Sequence, residues 1–154
     1  MRHWLVKSEP EAFSIDDLRE QGRTSWDGIR NFQSRNFMWH DMAIGDPVLF
    51  YHSNAKPPGV VGLASVASEP YPDHTAWDPT SSYFDPGSTP DNPKWWMVDI
   101  AYTETFGRLV SLDELRLVPE LAGMPLVGKS RLSVQPVTPE QFETICRLAR
   151  TAAA

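Results

Sequence analysis

The sequence has one cysteine, Cys146, among its 154 residues. A single thiol excludes a disulfide within the chain and is typical of a reducing compartment. Apolar runs are also short, and none approaches the roughly 18 residues of a membrane-spanning helix. The opening residues, MRHWLVKSEP, lack the apolar core of a signal peptide. These absences predict a cytoplasmic protein with no membrane partner.

Several motifs that carry chemistry are missing as well. There is no glycine-rich phosphate loop, and neither HExxH nor CxxC occurs. The four histidines show no metal-ligand spacing. His52 and Ser53 are neighbours on a predicted strand, so their side chains point to opposite faces and do not form a nucleophile–base pair. We therefore expect no metal, no cofactor and no catalytic residue, and we infer that the chain is not an enzyme.

Positive charge is in deficit, with 14 basic against 20 acidic residues and a formal net charge of −6. This balance disfavours non-specific binding to long duplex DNA, which relies on many phosphate contacts. A local basic rim is compatible with it, and we expect phosphate or backbone contacts from Arg30, Arg35, Lys129 and Arg131. Arginines outnumber lysines ten to four, a bias typical of GC-rich bacterial genomes.

The hydrophobic pattern predicts an α+β protein in which strands outnumber helices. Strands are predicted at 3–7, 48–52, 60–66, 95–106 and 131–137, and helices at 14–22, 31–41, after 111 and from 138. Six of the fourteen prolines fall within 70–94, which we interpret as one long, ordered loop that forms part of a pocket wall. With no repeat and no linker, we expect a single domain over 1–154, frayed at 151–154.

Capping signals locate the helix ends. Gly22 fits the end of the first helix, and Asn31 fits the start of the second. Three residue pairs have the spacing of a capping box: Ser14 with Asp17, Ser111 with Glu114, and Thr138 with Gln141. The pair Gly45-Asp46 is typical of a structural turn before the strand at 48–52.

Five segments together carry a family resemblance. They read WLVKSEP at 4–10, WDGIRN at 26–31 followed by RN at 35–36, GDPVLFYHSN at 45–54, YPD at 71–73, and KSRLSVQPV at 129–137. In this order, and over nearly the whole chain, they resemble the EVE domain family, which is similar to PUA and YTH domains. The resemblance implies a PUA-like mixed β-barrel of about five to six strands flanked by short helices.

The resemblance also implies a pocket that holds a modified base of DNA or RNA. By similarity, Lys7 and Ser8 lie at the end of the first strand, Trp26 forms an aromatic wall, and Arg131 holds a phosphate. The second wall is expected from the long loop, as either Tyr71 or Trp77. The base is expected to be flipped or single-stranded, and the protein to be a monomer.

Elementary chemistry agrees with a base-binding role. A base stacked on an aromatic side chain gains about 1–3 kcal/mol, and an exposed base also needs polar partners for its edge. Trp26 lies between Thr24-Ser25 and Asp27-Gly28, so we expect it in a turn at the pocket mouth rather than in the core. The predicted pocket residues are Lys7, Ser8, Glu9, Trp26, Asn31, His52, Ser53, Tyr71 and Trp77.

Several of these residues have structural alternatives. Asn31 and Glu9 fit local capping roles equally well, and at most one of His52 and Ser53 faces a cavity because they alternate on a strand.

Two other functions remain open beside the binding module. The first is an amidohydrolase of the ASCH type acting on an acylated nucleoside, with Lys7 and Glu9 as candidates. A basic lysine needs a depressed pKa, whereas a neighbouring glutamate is expected to raise it. The second is a small-molecule sensor, which would bind the free nucleoside as well as the polymer.

Overall fold

The computed structural model describes residues 1–128 and 131–151. Its strands are β1 (His3–Ser8), β2 (Arg23–Ser25), β3 (Pro47–His52), β4 (Gly59–Val66), β5 (Tyr71–Pro72), β6 (Trp96–Met97), β7 (Asp99–Ser111) and β8 (Val134–Val137). The α-helices are α1 (Ile15–Gln21), α2 (Phe32–Asn36), α3 (Leu112–Arg116) and α4 (Pro139–Ala149). No helix in this part of the chain is long and apolar enough to cross a membrane.

A six-stranded mixed sheet forms the centre of the fold, in the order β2-β7-β4-β3-β1-β8. The β1–β3 pair is parallel, with Trp4 opposite Val48, and the other neighbours are antiparallel. The sheet curls into a half-barrel flanked by short helices, which confirms the expected fold class. The register is irregular next to Gly62 in both the β3–β4 and the β4–β7 pair.

Both faces of the central strands are covered. In β1, Trp4 and Val6 pack into one hydrophobic cluster with α1, while Leu5 packs into a second cluster with α4. In β3, Phe50 joins the first cluster and Leu49 the second. Successive side chains of a strand point to opposite faces, so the continuous apolar runs in these strands serve both clusters.

Polar side chains fix the ends of the elements. The boxes at Ser14–Asp17 and Thr138–Gln141 are both present. Ser111 caps α3 by accepting from Glu114 N at 3.1 Å. The reciprocal half of that predicted box is wrong, because the Glu114 carboxylate binds Arg108 instead.

The predicted turn at Gly45-Asp46 is structural, and its Asp46 side chain is buried. The Asp46 carboxylate accepts from Trp4 Nε1 and from Ala43 N, each at 3.0 Å. These bonds tie the start of β3 to the parallel strand β1, so Asp46 supports the sheet.

Three predicted elements differ from the structure, and one of them is the strand expected over 131–137, which begins only at Val134. The helix expected over 31–41 begins at Asn31 as predicted, but its second half, Phe37–Asp41, widens to a π-helix. The strand expected over 95–106 is divided at Val98, because Trp96–Met97 pairs with Tyr71–Pro72 in a separate two-stranded sheet. The long loop therefore contains a short strand, β5, which pairs with β6. The residue after β6, Val98, accepts a hydrogen bond from Trp26 N just beyond the end of β2.

Candidate functional site

A cleft of about 710 Å³ opens where the parallel strands β1 and β3 end. The segment that follows β2 and a part of the long loop complete it. Its lining residues are Lys7, Ser8, Glu9, Ala12, Phe13, Gln21, Thr24, Ser25, Trp26, Asp27, Gly28, Ile29, Ser53, Tyr83 and Ser133. The volume lies within the range of small-molecule sites, roughly 300–1,000 Å³.

Trp26 is both a wall of the cleft and a core residue. Only 7% of it is exposed. Its ring packs edge-on against Phe13 at 6.3 Å and against Phe50 at 5.6 Å between centroids. The expectation that Trp26 stands in a turn outside the core is therefore wrong, because the turn folds inward onto the first hydrophobic cluster.

Tyr83 supplies a further aromatic ring to the lining, in place of the expected Tyr71 or Trp77. Its ring lies directly over Gly28, where an added Cβ would stand 2.5 Å from Tyr83 Cζ. Gly28 also has a positive φ of 79°, a conformation that favours glycine. Glycine is therefore favoured at position 28 for two reasons: the backbone turn needs a positive φ, and the Tyr83 ring occupies the space of a Cβ atom.

An ion pair holds the two segments of this wall together. The Asp73 side chain is 1% exposed and accepts from Gly28 N at 2.8 Å and from Arg30 Nη1 at 3.1 Å. Arg30 in turn donates to the Tyr83 carbonyl from Nη2 at 2.7 Å. Burial alone would raise the pKa of Asp73, but hydrogen bonds from Thr75, Gly28 and Arg30 outweigh it and lower the pKa.

The two aromatic residues expected as the second wall have other roles. The Tyr71 hydroxyl donates to Asp99, and burial together with this bond raises the Tyr71 pKa to about 12. Trp77 donates from its indole nitrogen to Ser88 Oγ at 3.3 Å. Tyr71 ties the long loop to β7 and Trp77 stabilises the loop from within, and neither lines the cleft.

Two further predicted pocket residues lie outside the lining. The Asn31 side chain accepts from Ser34 N at 2.9 Å and caps α2. His52 Nε2 accepts from Ile15 N at 3.1 Å and fixes the start of α1. Burial lowers the pKa of His52, which suits this acceptor role. Ser53 does line the cleft, so one member of the alternating pair faces it, as expected.

The end of β1 contributes the predicted polar edge of the cleft. Lys7, Ser8 and Glu9 all belong to the lining. Ser8 Oγ donates to the Phe13 carbonyl at 2.6 Å, and Glu9 accepts from Asn54 Nδ2 at 3.3 Å. Burial lowers the pKa of Lys7, so the expectation that Glu9 raises it is wrong.

Asp27 brings a second carboxyl group to the cleft. Desolvation raises its pKa, and the negative charge of Asp73 raises it further, while His74 and Arg30 act in the opposite direction. The cleft therefore combines aromatic surface with one ammonium group, two carboxyl groups and several hydroxyls.

The predicted phosphate contacts divide into bound and exposed groups. Arg30 is committed to Asp73 and Tyr83, as described above. Arg35 donates to the Lys94 carbonyl at 2.8 Å and to Asn36 Oδ1. Arg131 is exposed, and its side chain has no hydrogen bond or ion pair within the described residues. Lys129 lies outside the described residues, so its predicted role is not tested.

Arg35 also packs among aromatic rings. Its guanidinium lies 4.7 Å from the Phe32 centroid and 5.4 Å from that of Trp39. Arg30 and Arg35 therefore stabilise the protein's own loops, and among the predicted cations in the described part of the chain Arg131 is the exposed one.

Part of the lining had no clear signal in the sequence. Phe13 lies in a short connecting segment without a motif of its own, whereas Ser133 belongs to the KSRLSVQPV segment but was not singled out as a pocket residue. Asp27 and Gly28 belong to the WDGIRN segment, and a Trp-Asp-Gly turn was the available signal for them. In 1–128 and 131–151, no group of three or more histidine, cysteine or carboxylate side chains is placed to hold a metal ion.

The fold and the aromatic cleft together define a PUA-like domain, and comparison with known proteins identifies its family. The profile of the EVE domain matches residues 2–148. Thymocyte nuclear protein 1 of Rattus norvegicus is 44% identical over 165 residues, which cover 95% of this chain and 73% of the rat protein. The chain belongs to the EVE domain family.

Solved structures agree with this assignment. The human THYN1 protein, in complex with DNA that contains 5-methylcytosine, is 40% identical with a TM-score of 0.94, over 99% of this chain and 100% of that chain. A Pseudomonas putida protein is 47% identical with a TM-score of 0.92, over 96% and 99% of the two chains. An ASCH protein from Zymomonas mobilis, at 12% identity and a TM-score of 0.54, shares the fold alone.

Proposed function

We propose that this chain is a non-catalytic module that binds a methylated cytosine in DNA through the cleft at the end of β1. The observation that carries the proposal is the aromatic and polar lining of that cleft, in a chain that closely resembles the human protein crystallised with 5-methylcytosine DNA. The base enters in a flipped or single-stranded form, and the protein acts as a monomer.

The lining suits a base in two ways. Trp26, Phe13 and Tyr83 offer π surface, and stacking is worth about 1–3 kcal/mol per base. Hydroxyl and carboxyl groups offer partners to the edge of the base. Burial of one methyl carbon adds about 0.8 kcal/mol, or roughly fourfold in affinity. The cleft is therefore expected to favour a methylated base modestly over its parent.

The test is a titration with short fluorescently labelled single strands that differ only at one central base. Cytosine, 5-methylcytosine, adenine and N6-methyladenine are compared, with the free nucleosides measured in parallel. We expect the tightest binding for the 5-methylcytosine strand. Equal affinity for all strands would refute base recognition, and equal affinity for the free nucleoside would favour a small-molecule sensor.

Two neighbouring aromatic residues provide a matched pair of variants. Tyr83 and Phe84 are each 41% exposed on the same loop, but Tyr83 alone of the two lines the cleft. Tyr83→Ala should weaken binding of the 5-methylcytosine strand by roughly five- to hundred-fold. Phe84→Ala should leave it unchanged, which controls for a general effect on the loop.

One observation favours a hydrolytic alternative. Lys7 and Glu9 both line the cleft, and the Lys7 pKa is lowered by burial, as a general base requires. If the chain is an amidohydrolase, it should release the acyl group from an N-acylated cytidine, and Lys7→Ala should abolish that turnover. A binding module should show no turnover with either protein.

A further inference from the structure

Asp27 occupies a fixed position in the cleft. Its two chain neighbours are both anchored, since Trp26 N donates to the Val98 carbonyl at 2.9 Å and Gly28 N donates to Asp73 Oδ2 at 2.8 Å. The backbone on either side of the residue is thereby held to Val98, which lies between β6 and β7, and to the long loop. A side chain on such a turn is preorganised for binding, because little backbone freedom remains to be lost.

The Asp27 carboxyl group remains available to a ligand. Within the described residues it makes no ion pair and no hydrogen bond to another residue. Arg30, whose charge acts on Asp27, binds Asp73 and the Tyr83 carbonyl. Glu9, the other carboxylate of the lining, already accepts a bond from Asn54. Of the two carboxyl groups in the lining, Asp27 is therefore the one that accepts no hydrogen bond from another residue in the described part of the chain.

We propose that Asp27 selects an amino-bearing base, cytosine-type rather than thymine-type, by accepting a hydrogen bond from the exocyclic amino group. This inference rests on the proposed function and adds the identity of the base edge. Cytosine presents an N4 amino donor, whereas thymine presents an O4 acceptor at the same place. A carboxyl oxygen accepts from the first and repels the second.

The selection requires the ionised carboxylate of Asp27, which only accepts hydrogen bonds, because a protonated carboxyl group would offer both a donor and an acceptor and would match either base.

The test compares strands that carry 5-methylcytosine or thymine at one central position. The two bases share the ring and the methyl group and differ at the edge that Asp27 would contact. We expect the parent protein to prefer 5-methylcytosine by roughly five- to hundred-fold. Asp27→Asn should reduce the preference to near unity, because a carboxamide offers both a donor and an acceptor and matches either edge.

Glu11→Gln is the charge-matched control. Glu11 is exposed, lies in the same connecting segment as Glu9 and Ala12, and is absent from the cleft lining. The substitution Glu11→Gln removes one negative charge, as Asp27→Asn does. If both variants bind both strands more tightly than the parent, that rise in affinity reflects charge alone. The preference for 5-methylcytosine should persist in Glu11→Gln.

The outcomes separate the two claims. A parent protein that binds neither strand refutes the proposed function. A parent that prefers 5-methylcytosine, and keeps that preference in Asp27→Asn, refutes the role of Asp27 and leaves the proposed function standing. Thermal unfolding checks that each variant is folded. If Asp27→Asn is not folded, Asp27→Ser replaces it, because that substitution also removes the carboxyl group.

Discussion

Replacement of Gly28 by alanine should displace the Tyr83 ring and open the cleft on that side. The new Cβ would stand 2.5 Å from Tyr83 Cζ, 2.6 Å from Cε2 and 2.8 Å from Cε1. Carbon atoms in contact prefer separations of about 3.5–4.0 Å, so the ring has to move by roughly 1 Å or more. The ring is partly exposed and lies at the end of a side chain, and we expect it to yield before the backbone does.

Two magnitudes follow from this geometry. Alanine at a φ of 79° costs about 1–2 kcal/mol of stability from the left-handed backbone. For a chain of about 150 residues that corresponds to a fall in Tm of roughly 2–8 °C. Loss of the stacking surface on Tyr83 costs up to about 1–3 kcal/mol in binding, or roughly five- to hundred-fold in Kd.

Gly22→Ala is the matched control for the backbone effect. Gly22 has a similar positive φ of 77°, but an added Cβ would meet no atom within 4 Å. Both variants should therefore lose similar stability in thermal unfolding. In a titration with a 5-methylcytosine strand, Gly28→Ala should bind weakly and Gly22→Ala should bind like the parent. Equal binding by all three proteins would refute the idea that Tyr83 forms a wall of the site.

Further variants test the rest of the wall. Trp26→Ala should lower the free energy of unfolding by about 3–5 kcal/mol in urea melts, since it removes a buried ring; a loss below about 1 kcal/mol would contradict its place in the core. Arg30→Ala should lower the free energy of unfolding by about 1–3 kcal/mol, because it leaves the buried Asp73 without its cation. It should also speed proteolysis at 78–95, and unchanged cleavage would show that the ion pair does not hold the loop. Asp27→Asn should raise the Tm at pH 7. The raised pKa of Asp27 means that ionisation of this group disfavours the folded state. The gain in Tm should therefore vanish below the ordinary aspartate pKa, where the carboxyl group is protonated. A gain in Tm that persists in acid would refute this cause.

The framework of the fold was predictable because it depends on local patterns. The apolar runs in β1 and β3 and the caps at Ser14, Asn31 and Thr138 appear in the structure where the sequence places them. The division of the strand at Val98 was not predictable, since it depends on pairing with Tyr71–Pro72, more than twenty residues away.

The site was predictable only in the parts that lie on regular elements. Lys7, Ser8 and Ser53 follow directly from the ends of β1 and β3. Tyr83 does not, because its place over Gly28 depends on tertiary contacts through Asp73 and Arg30. Composition predicted that the long loop forms part of a pocket wall, but several aromatic residues in it were equivalent candidates until the direction of each side chain was known.

The two aromatic walls of the cleft differ in how freely evolution can change them. Trp26 is shared with the hydrophobic core, so most replacements there would cost the protein its fold before they altered its ligand. Tyr83 belongs to a surface loop whose attachment passes largely through one arginine and one aspartate. Substitutions on that loop can reshape one side of the site while the sheet stays intact. Divergence of ligand preference within this family is therefore expected to concentrate in the loop that carries Tyr83, which makes it the natural segment to exchange when a reader for a different modified base is engineered.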